Sequence, residues 1–242
     1  MKVALIGVGR MGSAIAWAMN ELGFTVTGGD SRTSSAEVLN KLSGRHSFRL
    51  VGKDFLNYND ALHQLFSSIK PDVVISSLPY HQTFSVANYC IEAGLRYCDL
   101  GGRVDVSQRI NDYAKEKASK PVFTDLGLAP GWVNILAEEG CRQIHGQADE
   151  VEMMVGGLPD YSQSTRNPLR YAVTWSVDGL INEYRDDCLI LEDGEIKTVR
   201  GMSGVEQIEG EKFGPMEAFY TSGGASHSIY DMQRRALKNC SY

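Results

Sequence analysis

Val3-Ala4-Leu5-Ile6-Gly7-Val8-Gly9-Arg10-Met11-Gly12-Ser13 stands near the start of the chain, and these residues decide its fold. Four consecutive apolar residues suit a strand buried on both faces. They run directly into Gly-x-Gly-x-x-Gly, and helical periodicity follows over residues 11–22. Each glycine has a mechanical role in a strand–turn–helix unit that holds a dinucleotide. Gly7 permits the tight turn, Gly9 lets the backbone approach a pyrophosphate, and Gly12 lets helix and strand pack closely. The helix N-terminus, with Arg10 and Met11 in its first turn, offers unbonded N–H groups and a partial positive charge to the phosphates. Asp30 ends the next apolar run, where a carboxylate accepts hydrogen bonds from the adenosine ribose hydroxyls. That position favours NAD. Ser31 and Arg32 keep NADP open, because a serine and an arginine just after this strand suit a 2′-phosphate.

Outward from this unit, short apolar runs alternate with helical segments. Strands are expected at 2–7, 24–28, 48–52, 72–76, 96–100 and 121–125, with helices at 11–22, 35–42, 58–69, 83–93 and 106–117. The alternation predicts an α/β fold, a doubly wound parallel sheet of Rossmann type over residues 1–130. A helix from Pro130 to residue 144 leads out of it. Strand-like runs at 150–155, 171–176 and 189–191, and an Asp193-Gly194 hairpin turn, predict a smaller α+β domain over 131–242 built on a largely antiparallel sheet.

Ligands of open α/β sheets lie outside the carboxyl ends of the strands. The fourth strand ends in Ser76-Ser77-Leu78-Pro79-Tyr80-His81, so the backbone of Ser76, Ser77, Leu78 and Pro79 is expected along the cofactor's phosphates and nicotinamide ribose. Tyr80 and His81 open a helix at the reacting end as candidates for proton transfer. His81 reads equally as a solvated first-turn histidine. Asp99, before Leu100-Gly101-Gly102, and Asp125, before Leu126-Gly127, put two carboxylates on the same edge, with Leu100 and Gly101 facing the cofactor. Strand-end aspartates are commonly turn residues. Two of them beside glycine-rich loops on the cofactor edge point to a catalytic site.

The net charge of −6 is spread over interspersed signs with no basic block, which disfavours nucleic acid as a partner. Five scattered cysteines, without Cys-x-x-Cys or Cys/His ligand spacing, read as reduced thiols, neither a disulfide frame nor a metal site. No run is long enough for a membrane span, and the apolar start lacks the cleavage signature of a secretory leader, so the cytoplasm is expected.

The loops Asp-Leu-Gly-Gly at 99–102, Gly-Leu-Ala-Pro-Gly at 127–131, Val-Gly-Gly-Leu-Pro at 155–159, Asn-Pro-Leu at 167–169, Thr-Trp-Ser-Val-Asp-Gly-Leu at 174–180 and Glu-Ala-Phe-Tyr-Thr-Ser-Gly-Gly at 217–224 resemble the saccharopine dehydrogenase family, closest to its lysine 6-dehydrogenase branch. The resemblance runs over essentially the whole chain. It implies an NAD(P)-dependent enzyme, expected here to deaminate the terminal amine of L-lysine or a related amino acid oxidatively. A saccharopine or carboxynorspermidine-type reductase using NADP, or a non-catalytic dinucleotide-binding protein, are the alternatives. Ala129 and Asp178 depart from the saccharopine reductase branch, which carries an aspartate and an arginine there. A carboxylate at 178 works against a tricarboxylate and suits a substrate with an extra ammonium, though a helix N-terminal residue placed for the dipole explains it equally. Arg166 and Arg170, flanking 167–169, are candidates for the substrate carboxylate, or else surface residues. The resemblance also implies a homodimer, and a second domain that reads as incomplete because relatives continue well past Tyr242.

Overall fold

The computed structural model describes residues 1–42, 46–50, 58–144, 147–157, 168, 172, 174–210, 214–225 and 227–242. It divides after Leu126 into two units, Met1–Leu126 and Gly127–Tyr242, where the sequence pattern places the division after residue 130.

The first unit runs β1 (Lys2–Ile6), α1 (Arg10–Glu21), β2 (Thr25–Asp30), α2 (Ser34–Lys41), β3 (His46–Leu50), α3 (Tyr58–Ile69), β4 (Val73–Ser76), α4 (Tyr80–Glu92), β5 (Tyr97–Asp99), α5 (Val104–Lys117) and β6 (Val122–Phe123). The strands form one parallel sheet in the order β3-β2-β1-β4-β5-β6. The order reverses between β1 and β4, so a crevice opens at their carboxyl ends. Alternate residues of β1 serve opposite faces, which is why its apolar run is unbroken. Ala4 and Ile6 pack with Leu62, Leu65, Phe66 and Val86 on one side, while Val3 and Leu5 pack with Ala16, Val26 and Leu39 on the other. Burying each large side chain of this kind stabilises the fold by about 1.5–3 kcal/mol.

Several boundaries differ from expectation, among them the strand expected at 150–155, which ends at Glu152, and two lie at the carboxyl edge of the parallel sheet. The sixth strand shrinks to Val122–Phe123, because at Asp125 the backbone turns left-handed (φ +61°) and leaves the ladder. The fourth helix starts at Tyr80 instead of residue 83. Pro79, extended at φ −56° and ψ 144°, precedes it and accepts the Gln82 N–H on its carbonyl.

The second unit comprises α6 (Trp132–Gln143), β7 (Glu150–Glu152), α7 (Val177–Arg185), β8 (Cys188–Glu192), β9 (Glu195–Val199), β10 (Glu206–Gly210), β11 (Gly214–Ala218), α8 (Ser228–Arg234) and β12 (Asn239–Ser241). One sheet has the order β7-β12-β8-β9, parallel only between β7 and β12, and β10 pairs β11 as a separate antiparallel ribbon. Asp193 and Gly194 (φ +53° and +81°) turn β8 into β9, both on the positive side as a type I′ turn requires. Of the run expected as a strand at 171–176, residues 171 and 173 lie outside the described residues. Ser176 instead caps α7, its Oγ accepting the Gly179 N–H at 3.2 Å. Met153, Leu191, Ile229, Met232, Leu237 and Cys240 form the core, against which Val133, Ala137 and Cys141 seat one face of α6. No helix among the described residues is long and apolar enough to cross a membrane.

Candidate active site

The glycine turn closes as its residue types demand. Gly7 stands at φ +90° and donates its N–H to the Gly29 carbonyl at 2.8 Å. A Cβ there would lie 2.6 Å from the Ser77 carbonyl oxygen and 3.1 Å from Leu78. A Cβ on Gly12 would run into the Gly7 carbonyl. Gly9 precedes α1 with no side-chain cap, and α1 has no acidic residue in its first turn. The positive end of α1, with exposed Arg10 and Met11 in its first turn, is therefore open to attract an incoming anion. Gly28 is a second close approach, where a Cβ would meet Leu39 and Val8.

Asp30 is buried and turned toward this loop. Its Oδ2 accepts the Val8 N–H at 2.8 Å, and its Oδ1 accepts the Arg32 N–H at 2.9 Å and Arg32 Nε at 3.3 Å. Burial alone would raise its carboxyl. The N–H groups of Val8 and Arg32, the Arg32 guanidinium and the Ser35 hydroxyl outweigh burial and hold it below the ordinary carboxylate value. The Arg32 side chain is 62 % exposed and reaches over the turn, its Nη2 3.6 Å from where a Cβ on Gly9 would be. Half-buried Ser31 links the two. The cradle is thus bounded by backbone where a side chain would not fit, and carries an anion and a cation side by side after β2. These features fit a nicotinamide dinucleotide.

From β4 the chain continues past the same turn. The Ser77 N–H donates to the Ile6 carbonyl at 2.7 Å, tying the ends of β1 and β4 together. Tyr80 is half-buried at the start of α4. His81 is exposed, its ring edge-on to Tyr80 and 3.2 Å from Gln82 Nε2, the placing of a solvated first-turn residue. After β5, Leu100 is half-buried and Gly101 and Gly102 take φ +77° and +130°. Arg103 follows, with its guanidinium over the Tyr80 ring at 5.4 Å and Nε 2.9 Å from Asp105. Sequence reasoning passed over Arg103, although its place directly after a glycine pair on this edge was a usable signal.

The two strand-end carboxylates are not alike. Asp99 is 2 % exposed; its Oδ1 accepts the Gly101 N–H at 2.8 Å and the Asp125 N–H at 3.3 Å. Burial pushes its carboxyl up to about 6, against the opposing pull of the Gly101 and Asp125 N–H groups on Oδ1. Asp125 is half-buried on the loop after β6, and its Oδ1 accepts from Ser107 Oγ, in the first turn of α5, at 2.5 Å. Ser107 was another residue that sequence reasoning missed. Asp125 is the more accessible of the two carboxyls; Asp99, expected as a catalytic group, is buried beneath the same edge.

In the second unit, Asp178 is exposed in the first turn of α7, where a negative charge offsets the helix dipole. Arg166 and Arg170 lie outside the described residues. Asn134 organises this unit: its Oδ1 accepts the Gly131 N–H at 2.7 Å, and its Nδ2 donates to the Gly224 and Ala225 carbonyls and to Ser228 Oγ.

Two family models match the chain, one described as the saccharopine dehydrogenase NADP binding domain over residues 3–123, the other as the saccharopine dehydrogenase C-terminal domain over residues 127–241. Among relatives, the mitochondrial alpha-aminoadipic semialdehyde synthase of Rattus norvegicus is 27% identical over 83% of this chain and 21% of its own length. The NADP(+), L-glutamate-forming saccharopine dehydrogenase of Saccharomyces cerevisiae is 28% identical over 69% of this chain and 36% of its own. The carboxynorspermidine synthase of Vibrio cholerae is 20% identical over 95% of this chain and 59% of its own. The apo saccharopine dehydrogenase (L-Glu forming) structure from Saccharomyces cerevisiae superposes with a TM-score of 0.72 at 20% identity, covering 99% of this chain and 54% of that one. The chain therefore spans between about a fifth and three fifths of the length of these relatives, and the structural likeness carries the fold.

Proposed function

The chain belongs to the saccharopine dehydrogenase family, and on that basis we propose that it is an NAD(P)-dependent oxidoreductase acting at a carbon–nitrogen bond of an amino acid. The observation that carries this reading is the single sheet edge on which the glycine turn, the Asp30–Arg32 pair, Tyr80 and Asp125 all stand. Gly7, Gly9, Gly12, Ser76, Ser77 and the first turn of α1 would hold the dinucleotide, which supplies a hydride acceptor or donor when bound.

The protein must then manage a proton. A free amine titrates near ~10.4 and is cationic at neutral pH, so the site has to take its proton before hydride can leave the adjacent carbon. Asp125 is the group we place there, fixed by Ser107, with Tyr80 beside the path and steadied by the Arg103 guanidinium. Oxidative deamination of the terminal amine of L-lysine is the substrate assignment that the Asp178 departure favours. A second reading, an NADP-dependent reductase joining an amine to a carbonyl, is favoured by Arg32, which covers the charge of Asp30 and so lessens its repulsion of a 2′-phosphate. The relatives named for saccharopine and carboxynorspermidine point the same way. All five cysteines are free thiols, which accords with the cytoplasm as the compartment we assign, and a homodimer is the assembly we assign from the family.

The test is titration with both reduced dinucleotides, followed by assays of reduced-dinucleotide formation with lysine, ornithine and saccharopine, and of its consumption with amine–carbonyl pairs. Turnover with lysine supports the first assignment, and turnover only in the condensing direction supports the second. Tight dinucleotide binding with no turnover in either direction would leave a binding protein and defeat the enzyme reading.

A further inference from the structure

Residue 99 makes more connections across the reacting edge than its position at a strand end requires. Its side-chain Oδ1 takes the N–H of Gly101, two residues on, and the N–H of Asp125, on the loop after the neighbouring strand. Its backbone carbonyl takes the Leu126 N–H at 2.9 Å. Two bonds thus tie the loop after β6 to Asp99, and a third folds the loop after β5 back onto the same residue. The loops need holding: Gly101 and Asp125 both sit at positive φ, and for the aspartate that costs on the order of 1 kcal/mol, which the surrounding bonds must offset.

The other oxygen of Asp99 has no part in this. Oδ2 is buried with no hydrogen-bond partner among the described residues. Ser76, its Cα partner across the β4–β5 ladder, likewise has an unpartnered buried Oγ. The Tyr97 hydroxyl, on the same face of β5, gives its proton to the Thr83 carbonyl at 3.4 Å. Asp99 is thus buried at 2 % exposure, whereas Asp125 on the next loop is half-buried.

We propose that Asp99 is a positioning residue: through one oxygen it clamps the loops after β5 and β6 together and so fixes the left-handed turn from which Asp125 takes the substrate's proton. The proposal rests on the reading of Asp125 given above. Burial supports it, since a carboxyl raised to about 6 spends part of its time protonated near neutrality, and the clamp needs only the acceptor oxygen that both forms keep.

Asp99→Asn and Asp99→Ala separate the clamp from a proton acceptor. Asparagine retains an acceptor oxygen for both N–H groups and brings an NH2 to the side where Ser76 Oγ lacks a partner. Alanine retains neither. The expected result is that Asp99→Asn melts at or above the wild-type temperature, keeps slow hydrogen exchange at the Gly101 and Asp125 amides, and leaves kcat and its pH profile nearly unchanged. Asp99→Ala should expose both amides to fast exchange and lower kcat by roughly 10–100-fold, the effect of a misplaced reacting group, with little change in KM or dinucleotide affinity. Loss of turnover in Asp99→Asn with amide protection intact would overturn the proposal and make Asp99 itself the acceptor. Unchanged protection in Asp99→Ala would overturn it as well. Should Asp99→Ala not fold, the protection and pH profile of Asp99→Asn decide. Should the wild type turn over no amine, the exchange measurement still decides the clamp, and the failure belongs to the assigned reaction.

Discussion

Arg32→Ala is the change that reads out cofactor choice most directly. The Arg32 side chain is 62 % exposed and its ion pair with Asp30 is long at 3.3 Å. An exposed pair of this kind contributes about 0–1 kcal/mol, so its loss should leave the melting temperature almost where it was. The two backbone N–H groups on Asp30 remain, and Asp30 keeps its place against Val8. The effect should therefore fall on the ligand. A guanidinium bonded to a phosphate is worth about 1.5–3 kcal/mol, which converts to roughly 10–150-fold in Kd. Only NADP presents a phosphate at this end of the cradle. Titrating intrinsic or nicotinamide fluorescence with NADPH and NADH should show NADPH weakened by that factor and NADH changed little, and the NADPH loss should shrink as salt rises, because screening removes the contact in the wild type first. Equal weakening of both dinucleotides would refute the reasoning, since it would put Arg32 on the shared pyrophosphate. No change in either would remove Arg32 from the site altogether.

Gly12→Ala should abolish dinucleotide binding at ordinary concentrations, because the new Cβ meets the backbone carbonyl of Gly7 and the helix must retreat from the turn; overpacking costs about 1–3 kcal/mol, so circular dichroism should show a lower melting temperature with the fold retained. Glu183→Gln should stabilise the second unit at alkaline pH. Burial raises the Glu183 carboxyl from 4.5 to about 7, so the folded state holds a proton that the unfolded chain has released, and stability falls as pH rises through that window. Thermal melts of both proteins should diverge at pH values above about 7 and converge below about 4.5, the two ends of that linkage; divergence at the acid end alone would show the reverse sign.

The sheet order and the glycine turn were legible because both follow from local pattern. An unbroken apolar run means a strand covered on both faces, and strands spaced by amphipathic helices leave few arrangements. The roles of the carboxylates were harder to read. Asp30 and Asp99 each end a strand, and a strand end alone does not say whether the last side chain turns outward to a ligand or inward to the backbone. For Asp99 an indication was present: Tyr97, two residues earlier, shares its face, and Tyr97 is 1 % exposed. Ser107 was invisible because nothing in a helical pattern marks the residue that reaches Asp125. In the second unit β12 is three residues long and pairs in parallel with β7, far away in sequence, so its place depends on partners that no local window contains. The β10–β11 ribbon alternates half-buried and exposed positions, but three of the half-buried ones are Gly210, Gly214 and Ala218, so the sequence shows little apolar alternation there.

The position of β1 also constrains the order of assembly. It is the first strand in the chain, yet it lies inside the sheet, with β2 on one side and β4 on the other. The bond from the Lys2 N–H to the Asp72 carboxylate, at 2.7 Å, joins residues separated by 70 positions. Such distant pairings make folding slow, because the intervening loop must be closed before its contacts contribute. Until Val73 arrives, β1 and β2 can pair and all three motif glycines are in place, but there is only one wall. The crevice is therefore a late product of folding, and a chain cut short of β4 would carry the entire glycine motif and no place for a dinucleotide to lie.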